Sequence, residues 1–246
     1  MKQIFWQAWR DLVFVHWEID PAVLEGLLPP QLEPELCNGK AYIGLVPFRM
    51  TDIRHVLLPK VPGCSATLET NLRTYVKRRR VAREPIPAVW FFSLEASSAL
   101  AVLVARLGFG LPYFKASMSL ERRESADGKL WITATSARRW PPPVPAHSLV
   151  EAEFASSEAL KPAELGTLEY FLFERYALFS QKHGQLKYAQ VQHAPYELAP
   201  GRLLRFDSNT LLEAAGLPAL TGKESIVVHR SADVVVKIGK IERPQE

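Results

Sequence analysis

The segment TLETNLRTYV, residues 67–76, has a pattern of polar and apolar residues that predicts a strand. Because successive side chains of a strand point to opposite faces, one face carries Leu68, Thr70, Leu72, Thr74 and Val76. The other face carries Thr67, Glu69, Asn71, Arg73 and Tyr75. A carboxylate, a carboxamide, a guanidinium and a phenol in one row are unusual for a solvated strand. The pattern leaves two alternatives: the row faces water, or it lines a pocket.

Runs of apolar or alternating residues predict further strands along the chain. They cover residues 12–19, 40–50, 89–93, 114–121, 130–136, 176–181 and 186–193. Helical patterns are fewer and cover residues 21–28, with Asp20 as N-cap, then 97–107, 165–173 and 209–215. This balance predicts an α+β fold with a mostly antiparallel sheet that curls into a barrel.

The segment YFKASMSL, residues 113–120, is predicted to be a second strand with a mixed polar face, which carries Tyr113, Lys115, Ser117 and Ser119. If both polar faces point inward, Lys115 shares a cavity with Glu69 and Arg73. Burial and a nearby cation lower the pKa of a lysine, and the neutral amine attacks a carbonyl to form a Schiff base. Glu69 or Tyr75 would then deliver a proton. The plainer alternative is that Lys115 forms an ion pair at a strand end.

Composition narrows the classes of protein that fit this pattern. With 246 residues, 48% of them hydrophobic, the chain has enough apolar material for a sizeable core, and we expect a single domain over residues 1–246. The net charge of +4 is mild, and the basic run at 77–80 with Arg83 lacks interleaved aromatic residues. We therefore expect a solvated hairpin tip there and no nucleic-acid partner.

Membrane, metal and cofactor signals are weak throughout the chain. No uncharged apolar run is long enough to cross a membrane, and Cys37 and Cys64 lack the spacing of a zinc site or a disulfide framework. The sequence predicts a cytoplasmic protein with no membrane partner, no metal and no cofactor. A small-molecule ligand is the expected partner, and the sequence leaves a homo-oligomer open.

Two further groups of polar residues need an interpretation. His16 and Glu18 lie on one face of the first predicted strand, and together with His193 they have the residue types of metal ligands. Spacing alone favours a hydrogen-bonded histidine over a metal site. Glu174-Arg175-Tyr176 is expected to anchor a helix through a salt bridge and a buried tyrosine hydroxyl. A GxSxG elbow is absent from the sequence, so nothing supports a serine hydrolase.

Several segments occur in an order that is typical of a known family. They are FVHWEIDPAVLEGLLPPQLEPELCNGKAYIGLVPFRM, ETNLRTYV, FFSLEASSALAVLVAR, LPYFKASM, FERYALF, QHAP and VHRSADVVV. In this order they resemble the YqjF-like bacterial proteins of unknown function, over nearly the whole chain. That family is grouped with the acetoacetate decarboxylase-like superfamily. The resemblance implies a curved antiparallel sheet that closes into a barrel around a ligand cavity, with a few peripheral helices.

The resemblance also bears on the site residues. Decarboxylases of this superfamily carry two adjacent lysines shortly after a proline, one of which forms the Schiff base while the other lowers its pKa. The similar segment here, residues 112–116, has the single lysine Lys115. Glu69 is similar to a carboxylate on the neighbouring strand of those enzymes. Glu18, in contrast, stands at or near the place of an arginine that they carry.

Two functions therefore stay open from the sequence. The first is binding of a small anionic or carbonyl-bearing organic molecule, with the ligand-binding residues Asn71, Arg73, Tyr75, Tyr113, His16 and Glu18. The second is a Schiff-base lyase that acts on a β-keto acid, with the catalytic residues Lys115 and Glu69. Both predict that Glu69, Asn71 and Arg73 are buried in one cavity with Tyr113 or Lys115. Both also predict that the helix at 97–107 covers the opposite face of the sheet.

Overall fold

The computed structural model describes residues 2–56, 66–80 and 86–244. Its strands are β1 (Gln3–Arg10), β2 (Val13–Ile19), β3 (Leu32–Pro34), β4 (Ala41–His55), β5 (Thr67–Arg78), β6 (Ala88–Ala96), β7 (Tyr113–Glu124), β8 (Lys129–Trp140), β9 (His147–Ala155), β10 (Lys161–Pro162), β11 (Ala177–Lys182), β12 (Gln185–Gln192), β13 (Glu197–Pro200), β14 (Arg202–Asp207), β15 (Ile226–Ser231) and β16 (Val234–Gly239). Its helices are α1 (Pro21–Leu27), α2 (Ala99–Phe109), α3 (Leu168–Phe173) and α4 (Asn209–Ala214).

Part of the sheet closes on itself as a ring of hydrogen-bonded strands. The order around the ring is β4, β1, β16, β12, β11, β6 and β5, and β5 pairs again with β4. Every pair in the ring is antiparallel except β6 with β11. The predicted α+β fold with a mostly antiparallel sheet is therefore confirmed, and the predicted curling of the sheet is confirmed to the extent that these strands form a ring.

Two extensions leave the ring at its long strands. From β4 the sheet continues through β2, β15, β13 and β10, and from β6 it continues through β7, β8, β9 and β14. β6 and β7 run parallel, and only Leu94–Ala96 pairs with Tyr113–Lys115 before β7 turns away with β8. This early separation of β6 and β7 limits which residues of β7 can reach the inside of the ring.

The two faces of β5 belong to two different clusters of buried side chains. Leu72 and Val76 pack in the outer cluster, which includes Leu24 of α1 together with Leu211 and Leu212 of α4. Tyr75 packs in the inner cluster, together with Phe14, Phe48 and Phe173. The alternation of β5 therefore separates an outer face of leucine, valine and threonine from an inner face that carries the charged residues, as the sequence pattern predicts.

The predicted place of α2 is wrong, because this helix covers the inner side of the ring instead of the outer face of β5. Ala101, Val104, Ala105 and Phe109 of α2 line the interior cavity. A parallel strand pair needs a crossover connection, and α2 is the crossover between β6 and β7. Since α2 is apolar on nearly all sides, its sequence does not reveal which face of the sheet it covers.

Local signals for turns and caps agree with the structure. Asp20 accepts a hydrogen bond from the Ala22 amide at 2.9 Å and caps α1 as predicted. Lys77 lies near the end of β5 and pairs with Glu33 at 3.1 Å, while Arg83 and Cys64 lie outside the described residues. Within those residues, no helix has the length and apolar composition needed to cross a bilayer.

Candidate functional site

A cavity of about 160 Å³ lies inside the ring of strands. Every strand of the ring contributes to its wall, which is mostly apolar and aromatic and includes Phe5, Trp9, Met50, Val89, Phe91, Leu94, Leu178, Val191 and Ile238. Near the start of β5, α2 covers the cavity, and the Thr67 hydroxyl accepts a hydrogen bond from the Ser98 amide there. Near Arg73, the wall is formed by Phe173, Arg175 and Tyr196.

The polar row of β5 points into this cavity. Glu69, Asn71 and Arg73 keep only 4%, 6% and 6% of their surface exposed, and all three line the cavity together with Tyr113. The prediction of low exposure in a shared cavity with Tyr113 is confirmed. The question raised by residues 67–76 is thereby answered: Thr67, Glu69, Asn71 and Arg73 line the cavity, and Tyr75, the last residue of the row, is buried beside it.

Glu69 and Tyr113 form a hydrogen-bonded pair at the α2 end of the cavity. The Tyr113 hydroxyl donates to Glu69 Oε2 at 2.7 Å. Burial raises the pKa of Glu69 to about 7, although the hydrogen bonds from Tyr113 and Asn71 oppose that change. Burial and the neighbouring Glu69 carboxylate raise the pKa of Tyr113 well above its usual value. The Glu69 carboxyl group therefore gains or loses its proton close to neutral pH.

Arg73 places a guanidinium at the other end of the polar row. Its Cζ lies 5.6 Å from the ring centre of Phe14 and 5.8 Å from that of Tyr75, and one terminal nitrogen donates to the Leu172 carbonyl at 3.4 Å. The Arg73 Nε and the Asn71 Oδ1 are buried without a hydrogen-bond partner. Among the described residues, no carboxylate forms an ion pair with Arg73.

Arg175, His193 and Tyr196 also line the cavity, and sequence reasoning assigned them no place there. Arg175 forms an ion pair with Glu35, and its Cζ lies 4.1 Å from the ring centre of Phe171. The predicted salt bridge is thus present, and the Tyr176 hydroxyl donates to Glu174, although Tyr176 is half-buried and not buried as predicted. The only sequence signal for these three residues was that they lie in or directly after the segments FERYALF and QHAP.

His193 is held by aromatic contacts at the edge of the cavity. Its ring centre lies 4.4 Å from that of Tyr196 and 4.7 Å from that of Tyr176. Its Nδ1 donates to the Ala194 carbonyl at 2.7 Å. Burial lowers the pKa of His193, so the neutral imidazole is favoured near neutral pH.

Lys115 does not share the cavity with Glu69 and Arg73, which corrects the placement expected from alternation. Its Nζ donates to the carbonyl of Ala116 at 2.8 Å, and the residue is absent from the cavity wall. Lys115 pairs with Ala96, the last residue of β6, and from Ala116 onward β7 pairs only with β8, away from the ring. Alternation gives the faces of a strand, but it does not show how far the neighbouring strand extends.

His16, Tyr75 and Glu18 also lie outside the cavity wall. The Tyr75 hydroxyl is 2.7 Å from His16 Nε2, and both residues are fully buried beyond Arg73. Burial, followed by the positive charge of Arg73, lowers the pKa of His16 well below its usual value. Glu18 is on the surface, where it forms an ion pair with Lys40 at 2.7 Å. Within the described residues, no cluster of histidine, cysteine and carboxylate side chains is suited to hold a metal ion.

The ring of strands with an internal cavity defines the class of fold. The chain is similar to an acetoacetate decarboxylase-like enzyme from Sphingomonas wittichii RW1, with a TM-score of 0.64, 14% identity, and coverage of 100% of this chain and 94% of that one. It is also similar to the enduracididine biosynthesis enzyme MppR, with a TM-score of 0.62, 13% identity, and coverage of 98% and 88%. At these identities the likeness shows an acetoacetate decarboxylase-like fold.

Sequence comparison then gives the family. The chain belongs to the family DUF2071, described as "Uncharacterized conserved protein", whose model matches residues 6–235. It is 36% identical over 211 residues to the "Uncharacterized protein YqjF" of Bacillus subtilis (strain 168), which covers 86% of this chain and 81% of that protein. The predicted membership of the YqjF-like proteins is confirmed.

Proposed function

We propose that this protein binds a small organic anion with an apolar body inside its ring of strands, and that the ring acts as a ligand-binding barrel. The observation that carries the proposal is the buried guanidinium of Arg73, which lines the cavity, has an unpartnered Nε and pairs with no carboxylate among the described residues. An anion in the cavity would supply the missing partner.

The energetics of a buried charge support this interpretation. Moving an ion from water into a protein interior costs several kcal/mol, which a paired charge of opposite sign offsets. The rings of Phe14 and Tyr75 give Arg73 only partial compensation. A carboxylate fits a guanidinium through two parallel hydrogen bonds, so an organic acid is the ligand class that this side chain recognises best.

The wall of the cavity supports an apolar body for the ligand. Small-molecule sites are usually apolar clefts with a few polar groups that fix orientation. Here Phe91, Leu94 and Val191 belong to the apolar wall, while Glu69, Asn71 and Arg73 are the polar groups. An inorganic anion would leave this apolar wall uncovered, whereas an aromatic or aliphatic acid would cover it.

No observation favours the second candidate, a Schiff-base lyase that uses Lys115. That chemistry needs an amine beside the substrate, and the described residues that line the cavity include no lysine. The lyase would be supported if borohydride trapped a β-keto acid on Lys115 of the wild type and not on Lys115→Ala.

A thermal-shift screen with small organic acids tests the proposed binding. A ligand at a hundredfold excess over its Kd stabilises the folded state by about 2.7 kcal/mol. We expect benzoates or arylacetates to raise the Tm of the wild type and of the control Arg202→Met, whose arginine is exposed on β14. Arg73→Met should show no such rise. An equal rise in Arg73→Met would contradict the proposal.

A further inference from the structure

The two ends of the polar row on β5 do not contact each other. Glu69 and Arg73 lie four positions apart on the strand, which at about 3.3 Å per residue is roughly 13 Å between their Cα atoms. Glu69 accepts from Tyr113, whereas Arg73 lies toward Leu172 and Phe14. Among the described residues, no ion pair joins Glu69 with Arg73. The cavity therefore has two separate polar ends.

Between these ends the neighbouring strand presents apolar side chains. β6 pairs with β5 so that Phe91 lies opposite Arg73 and Leu94 lies opposite Asn71. Both Phe91 and Leu94 line the cavity. A molecule that reaches both ends passes Phe91 and Leu94 on one side and Asn71 on the other, and an apolar middle section would cover Phe91 and Leu94.

The Glu69 end is suited to a neutral hydrogen-bond acceptor. Burial disfavours the carboxylate, and a protonated carboxyl group has one O–H that can donate. A second anionic group on the ligand would repel the ionised form of Glu69 and would add a buried charge without a cation beside it. A carbonyl oxygen accepts the O–H and adds no charge.

We propose that the ligand is an extended organic acid whose carboxylate contacts Arg73 and whose far end carries a carbonyl group that accepts a hydrogen bond from the Glu69 carboxyl group. This inference rests on the anion binding proposed above and narrows the class of ligand. A β-keto acid is too short for this arrangement, because a single methylene group separates its carbonyl from its carboxylate. An acid with an aromatic ring between the two groups spans more of the distance.

Titration calorimetry with two matched acids tests the inference. The probes are para-acetylbenzoate, which carries a carbonyl, and para-ethylbenzoate, which does not. At about pH 6, below the pKa of Glu69 of about 7, the acetyl compound should bind roughly tenfold more tightly, the value of one good hydrogen bond. At about pH 8, where the carboxylate form prevails, this preference should disappear.

The other charged or titratable groups of the cavity wall do not produce the same change. Among the described residues they are Arg73, Arg175, His193, Tyr113 and Tyr196. Arginine stays charged at both pH values, and burial raises the pKa of both tyrosines. Burial lowers the pKa of His193, which favours its neutral imidazole.

Two variants separate the inference from the proposal on which it rests. Glu69→Gln, whose amide donates at every pH, should keep the preference for the acetyl compound at both pH values, and the surface control Glu18→Gln should behave as the wild type. If both acids bind equally at both pH values and Arg73→Met abolishes their binding, the inference is overturned while anion binding stands. If neither acid binds, or both bind Arg73→Met normally, both proposals are overturned.

Discussion

Replacing Arg73 by methionine removes a buried charge from the cavity and keeps an unbranched side chain. The wild-type guanidinium has two cation–π contacts, worth about 0.5–2 kcal/mol each, and one long hydrogen bond to Leu172. Against these stands a desolvation cost of several kcal/mol that no carboxylate among the described residues offsets. We expect ligand-free Arg73→Met to be as stable as the wild type or more stable by about 1–3 kcal/mol.

Thermal unfolding in ligand-free buffer measures this difference. For a protein of this size, 1 kcal/mol corresponds to roughly 2–4 °C in Tm, and Arg202→Met should lower Tm by no more than that, because it removes only an exposed ion pair with Glu153. A gain in stability together with a loss of binding would mark Arg73 as a residue kept for function. A fall of more than about 2 kcal/mol in Arg73→Met would refute the reasoning, because it would show that the guanidinium stabilises the fold.

Three further predictions concern stability and can be measured by urea unfolding. Burial raises the pKa of Glu69 from 4.5 to about 7, so in this pH range the folded state binds a proton that the unfolded state has released. The free energy of unfolding should therefore fall by about 3 kcal/mol as the pH rises from 4.5 to 7; the same fall in Glu69→Gln would contradict this. Gly44→Ala would place a Cβ 2.9 Å from the His16 ring and should lower the free energy of unfolding by about 1–3 kcal/mol. Gly26→Ala, which has open space around its Cβ, should cause no loss of stability, and equal losses in the two variants would refute the argument. Arg138 forms a buried ion pair with Glu95 at 2.6 Å. Arg138→Met would leave the Glu95 carboxylate unpaired and should lower the free energy of unfolding by about 3–5 kcal/mol; a loss under about 1 kcal/mol would show that this ion pair adds little.

The side chains that face the cavity from β5 could be predicted because they lie on one strand with a regular period. Alternation places Glu69, Asn71 and Arg73 on one face, and their polar character contrasts with Leu72 on the other face. The decision between a pocket and bulk water needed more than local pattern. The resemblance to barrel-forming proteins favoured the pocket, and the low exposure of these residues confirms it.

The rest of the site depends on contacts between distant parts of the chain. Arg175 and His193 reach the cavity because α3 and the segment after β12 pack beside β5, and no spacing in the sequence encodes that approach. Lys115 was misplaced because the point at which β6 ends beside β7 is a property of strand pairing. β1 was not predicted from the sequence, although it closes the ring between β4 and β16.

The central claim is that the cavity holds an organic acid against Arg73, and a crystal structure with para-ethylbenzoate at saturating concentration tests it most directly. The account predicts the carboxylate within hydrogen-bond distance of the Arg73 guanidinium, with the ethyl end between Phe91 and Leu94 on the apolar wall. An acid bound elsewhere, or a cavity that contains only water at that concentration, would contradict the claim.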